Sequence, residues 1–128
     1  MDKIAITCSA PDLDAQIDPR FGRAAGFLVI DPETMIFEYL ENGTAQLMPQ
    51  GAGIQAAETV AGSGAKTVLT GFVGPKAFQA LSAAGIRVGQ NLENISARKA
   101  LELFQNGKVE ISDAPNSSGG GGKRGGRA

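Results

Sequence analysis

The chain has 128 residues, 42% hydrophobic and 20% charged, with a formal net charge of −1 and no histidine. That suits one globular domain with a single core, and it removes the side chain that most often serves as a general base near neutral pH. One cysteine, Cys8, excludes an intrachain disulfide and cannot alone supply a structural zinc site.

The charge is unevenly spread. Every acid lies at or before Asp113, while Lys123, Arg124 and Arg127 follow it, so the body is acidic and the end is basic. An acidic body is poor material for a nucleic-acid surface. Met1-Asp2-Lys3 leads straight into a strand-like run, so no leader is expected. No apolar stretch reaches the roughly 20 residues of a membrane span. A cytoplasmic protein with no membrane or nucleic-acid partner is the expectation.

In chain order, Lys3 to Cys8 reads as a strand rich in β-branched residues. Ser9 to Asp18 is a polar, proline-containing loop. Gly26 to Asp31 and Met35 to Leu40 are strands joined by Asp31-Pro32-Glu33-Thr34, a turn sequence, and they form a hairpin. The period then changes. Ile54 to Ala61 is an alanine-rich helix, and Thr67 to Thr70 is a short buried strand. Pro75 suits the first position of a helix whose inward face carries Ala77, Phe78, Leu81 and Ala84. Gly85 suits its C′ position, and Ile86 to Val88 is a fifth strand. Ser96 caps a last helix through Gln105, with Ala97, Ala100, Leu101 and Phe104 inward.

The order βββαβαβα predicts a mixed sheet of about five strands with helices on both faces. This is a three-layer α/β/α arrangement of ribonuclease-H-like type. Residues 1–113 form the domain. Residues 114–128 are rich in Gly, Ser and Arg, cannot form a core, and are expected to be a disordered tail.

The topology invites nuclease chemistry, but Ile4-Ala5-Ile6-Thr7-Cys8 and Thr67 to Thr70 carry none of the carboxylates that two metal ions need. Gly51-Ala52-Gly53-Ile54-Gln55-Ala56 matches the spacing GxGxxA. It follows the poor strand Gln46 to Gln50 and lacks an acid about 20 residues on, so it reads as a helix entry able to take an anion rather than a dinucleotide site. Gly71-Phe72-Val73-Gly74-Pro75 joins a strand end to a helix start, where open α/β sheets place ligands; a plain tight turn reads equally well. Cys8 reads as a small buried hydrophobe or as a soft metal ligand. The sharpest feature is Asp18-Pro19-Arg20-Phe21-Gly22-Arg23-Ala24. Arg20 and Arg23 can hold a multiply charged anion by forked hydrogen bonds, or can pair with Asp18 or Asp14 and brace the loop.

These segments together, in this order, with Ala83-Ala84-Gly85-Ile86-Arg87-Val88, resemble the dinitrogenase iron–molybdenum cofactor-binding family over roughly Lys3 to Val109. The resemblance implies a non-enzymatic carrier of an anionic metal–sulfur cluster, of iron–molybdenum or molybdenum–copper sulfide type, with a recipient or scaffold protein as partner. By position it implies Phe21, Gly22 and Arg23 as the core of the family motif. Cofactor contacts are expected from these three and Arg20, from the helix-entry segments at Gly51, Gly53, Ile54 and Gln55 and at Gly71 and Gly74, and from the apolar Phe72 and Val73; with no histidine in the chain, Cys8 is the one conventional soft ligand left. Many relatives have histidine where this chain has Arg20. An interaction module without bound cluster, or a small nucleotide-binding domain, are the alternatives; no nucleotide is expected.

Overall fold

The computed structural model describes residues 2–112, 114 and 115, so the tail expected from residue 114 lies outside the described residues apart from Ala114 and Pro115. The described elements are β1 (Lys3–Cys8), β2 (Gly26–Ile30), β3 (Phe37–Glu41), α1 (Gly43–Leu47), α2 (Ala52–Gly62), β4 (Ala65–Leu69), α3 (Pro75–Ala83), β5 (Arg87–Gly89), α4 (Ala97–Gln105) and β6 (Ile111–Ser112). They form one six-stranded sheet in the order β3-β2-β1-β4-β5-β6. β1, β4 and β5 run parallel, while β2, β3 and β6 pair antiparallel with their neighbours.

Alternation along β1 divides the core. Ala5 joins Phe27 and Val29 under α2 and α3, which contribute Ala56, Val60, Phe78 and Leu81. Ile4, Ile6 and Cys8 face the other way, with Leu28, Ile30 and Leu69, onto Ala97, Ala100 and Leu101 of α4. Helices therefore cover both faces, which is why β1 and β2 are apolar almost throughout. A fully buried Leu101 or Phe21 is worth about 2–3 kcal/mol of transfer free energy. The mixed sheet between two helical layers is the α/β architecture expected.

Several details differ from expectation. β3 begins at Phe37 because the turn is longer than Asp31 to Thr34. The Asp31 carboxylate accepts from Glu33 N at 2.9 Å, Asp31 N donates to Ile36 O at 2.9 Å, and Met35 takes a φ of 63°. Ala84 caps the C-terminus of α3 and is exposed rather than inward. Gly85 does take the left-handed C′ conformation, at φ 77°. Ser96 Oγ accepts from Lys99 N at 3.1 Å, the expected cap. The strand β6 and the helix α1 are additions; two and five residues are too short to leave a periodic signal.

Candidate functional site

In a parallel βα arrangement the helices run opposite to the strands, so α2 and α3 both point their N-termini at the carboxyl edge of the sheet. Both ends are open. Gly51 precedes α2 in the left-handed conformation (φ 78°) and Gly74 precedes α3, and neither has a side chain to cap the first turn. The first-turn N–H groups of Ala52, Gly53, Lys76 and Ala77 are the donors that helix geometry leaves without an intrahelical acceptor. Each end favours an anion by about 0.3–1 kcal/mol.

Small residues allow the two ends to converge. A Cβ on Gly53 would lie 2.9 Å from Ala77 Cβ, and one on Gly22 would lie 3.0 Å from the Gly53 backbone. The Asp18–Ala24 loop is thus pressed against the start of α2, which is pressed against the start of α3. Phe21 N donates to Phe72 O at 3.2 Å and Phe72 N to Pro19 O at 2.6 Å, which ties this loop to the β4–α3 turn. Asn42, 3% exposed, donates from its amide to Gly22 O at 3.2 Å and Ala24 O at 3.0 Å.

These contacts leave a cleft of about 620 Å³ between the loop and the two helix ends, within the usual size range for a ligand site. Of the expected site residues, Gly22, Arg23, Gly51, Gly53, Ile54 and Gly74 line it. Pro49, Gln50, Ala52, Pro75, Lys76 and Ala77 line it as well. No acid is among the described lining residues, and Arg23 and Lys76 supply positive charge.

The other expected residues sit around the cleft rather than in it. Phe21 is 1% exposed and its ring meets Phe27 at 5.7 Å, so it is core. Val73 is buried. Gln55 N closes the first bond of α2 with Gly51 O at 3.0 Å. Gly71 packs on Pro19, where a Cβ would lie 2.6 Å from the carbonyl oxygen. Phe72 is half-exposed. Arg20 projects to solvent, with its Nε 3.5 Å from the Asp18 carboxylate. Arg23 has two roles: its guanidinium donates to Met48 O at 2.7 Å, bracing the loop to the end of α1, while the residue lines the cleft.

Cys8 lies apart. Its side chain is fully buried among the α4-facing residues, across the sheet from α2 and α3. The thiol faces Asp12 O at 3.7 Å and Ala15 O at 3.9 Å. Burial pushes its pKa up, with the negative charges of Asp12 and Asp18 acting the same way. Among the described residues no cluster of three or more His, Cys, Asp or Glu could hold a metal ion. Asp14, a possible partner for the loop arginines, bonds Arg98 Nε at 2.8 Å instead.

Sequence reasoning missed Asn42 and Lys76 as parts of the site. Neither carries a local signal of a site: Asn42 simply follows a strand-like run, and Lys76 stands just after the proline that opens a helix. The family model described as dinitrogenase iron-molybdenum cofactor matches residues 2–107. The chain belongs to this family. The apo form of the orange protein from Desulfovibrio gigas shares 55% identity with a TM-score of 0.90, covering 91% of this chain and 98% of that one. The solution structure of a candidate NifB protein from Thermotoga, of the DUF35 family, shares 29% identity with a TM-score of 0.75, over 87% of this chain and 93% of that one. An uncharacterized protein of Methanocaldococcus jannaschii is 30% identical over 98 residues, 74% of this chain and 81% of its own. The family assignment and the fold agree with the resemblance carried by the sequence segments. Among the described residues no helix is long and apolar enough to cross a membrane.

Proposed function

We propose that the chain binds an anionic metal–sulfur cluster, of iron–molybdenum or molybdenum–copper sulfide type, as cargo in the cleft between the N-termini of α2 and α3, and passes it on without catalysing a reaction. The observation that carries this reading is the convergence of two uncapped helix ends with Arg23 and Lys76 in a cleft whose described lining holds no acid. Membership of a family described by the iron–molybdenum cofactor of dinitrogenase supports it. The donor set fits such a cargo. Backbone N–H groups and cationic side chains donate to sulfide or oxo groups, whereas bare metal would need soft or anionic ligands. A finished cluster held by charge and shape suits these residues.

Arg20 stands at the rim as a charge that attracts the anion, and Phe21 and Val73 set the loop from below. Cys8 is a packing residue in this account. The test is anaerobic reconstitution with tetrathiomolybdate and copper(I), followed by gel filtration and a visible spectrum. A coloured protein fraction is expected; a colourless protein eluting free of metal would refute the proposal.

A second reading, an interaction module without cargo, draws on exposed apolar residues near the cleft. Leu47 is 86% exposed, and Ile54 and Phe72 are about 40% exposed. A stable protein partner recovered from metal-depleted cells would favour that reading. If the cluster also binds, the same residues become the surface on which a recipient docks.

A further inference from the structure

Two hydroxyls are buried at the carboxyl edge of the sheet. Thr7 in β1 and Thr70, the residue after β4, are both 0% exposed. Alternation along β1 and β4 puts them on one sheet face, two residues beyond Ala5 and Val68, which pack under α2 and α3. Valine matches threonine in shape, and a buried hydroxyl costs free energy unless it is bonded, so the bonds explain this pair. Thr7 Oγ1 lies 2.6 Å from Asp18 O and 2.9 Å from Thr70 Oγ1. A carbonyl only accepts, and each hydroxyl has one proton. Both bonds therefore form when Thr70 donates to Thr7 and Thr7 donates to Asp18 O. Thr70 is itself held by its backbone, which donates to Gly89 O at 2.9 Å and accepts from Leu92 N at 3.1 Å. Asp18 carries the constraint onward. Its carboxylate accepts from Arg20 N at 3.1 Å, and Arg23 N donates to Arg20 O at 3.3 Å.

We propose that Thr7 is a positioning residue for the cargo: its hydroxyl, backed by Thr70, fixes the root of the Asp18–Ala24 loop and so keeps Arg23 at the cleft. This rests on the cargo reading above. Thr7 is not among the described lining residues, so it acts through the loop and not by contact. The two hydroxyls are unequal. Thr7→Val takes the donor from Asp18 O and the acceptor from Thr70. Thr70→Val leaves the bond from Thr7 to Asp18 O in place. Hydroxyls in series also polarise one another, so Thr70 strengthens the bond that Thr7 makes.

The test compares Thr7→Val, Thr7→Ser and Thr70→Val in the full chain, loaded anaerobically with tetrathiomolybdate and copper(I) and followed at equal folded fraction. Thr7→Val should release cargo about three- to tenfold faster than the parent, the range that one neutral hydrogen bond supports. Thr7→Ser keeps the hydroxyl and should restore most of the retention, and Thr70→Val should lose less than Thr7→Val. In an Arg23→Ala background Thr7→Val should add little, since it acts through that residue. Amide exchange reads the loop without cargo: Phe21 and Arg23 should exchange faster in unloaded Thr7→Val than in the parent, with Val60 of α2 unchanged. Should Thr7→Val not fold, Thr7→Ala is read in the same way. Release at the parental rate, Thr7→Ser as leaky as Thr7→Val, or an equal added loss with and without the Arg23 side chain overturns the positioning role alone. A parent that binds no thiometallate overturns the cargo reading and the role of Thr7 in retention with it.

Discussion

Gly22 and Gly53 meet backbone to backbone: a Cβ on Gly22 would fall 3.0 Å from both the Cα and the N of Gly53. This approach brings Arg23 to the open end of α2 and so joins the arginine loop to the helix end in one site.

Glycine within a helix usually gains stability when replaced by alanine. Gly53→Ala should do the reverse, because its Cβ would meet Ala77 Cβ at 2.9 Å. A loss of about 1–3 kcal/mol in urea unfolding is expected. Gly62→Ala, whose added Cβ meets nothing within 4 Å, should be neutral or mildly stabilising. Equal effects at the two positions would contradict the packing described.

Asn42 holds the loop through its two amide bonds to Gly22 O and Ala24 O. Asn42→Ala should cost about 1–3 kcal/mol, since it takes the donor from the buried Ala24 carbonyl and the partly buried Gly22 carbonyl. It should also weaken thiomolybdate retention although Asn42 does not line the cleft. Retention equal to the parent, at matched folded fraction, would show that the loop keeps its place without the amide.

Arg23→Ala removes both a cleft charge and the bond to Met48 O. Retention of tetrathiomolybdate should fall about tenfold, as expected for loss of a charge-assisted contact. Lys66→Ala, at the exposed residue of β4, should leave retention unchanged. Arg23→Lys should recover only part of the loss, because an ammonium lacks the guanidinium fork.

The buried Cys8 thiol sets an alkaline limit. Burial raises its pKa in the folded protein, so above about pH 8.5 the unfolded chain loses this proton while the folded chain keeps it. The unfolded state then binds fewer protons, and stability falls as pH rises, at up to about 1.4 kcal/mol per pH unit until the folded thiol itself ionises. Tyr39, also raised by burial, adds to the decline above about pH 10. Cys8→Ala should flatten the slope between pH 8.5 and 9.5 in urea titrations. An unchanged slope would mean that other groups carry it.

Much of the fold is legible because periodicity and punctuation agree. The apolar run of β1, the proline opening α3, Gly85 after it and Ser96 before α4 each carry a local physical cause. What escapes is set by distance. Nothing in Asn42-Gly43 reveals that the amide reaches back to Gly22 and Ala24. The order of residues around Cys8 places it at a strand end near the loops, but the pleat turns its side chain to the α4 face, away from the cleft. Phe21 stands between two arginines in sequence, yet its ring belongs to the core against Phe27. Conversely, Gly51, Gly53 and Gly74 are legible as helix entries, while their meeting in one cleft depends on α2 and α3 packing on the same sheet face.

Amide chemical shifts recorded while tetrathiomolybdate is added anaerobically locate the cargo. Arg23, Gly53, Ile54, Lys76 and Ala77 should move most, with Cys8 and its neighbours in β1 nearly still. Shifts centred on Cys8 and the Ser9–Ile17 loop, or no saturable shifts at all, would contradict it.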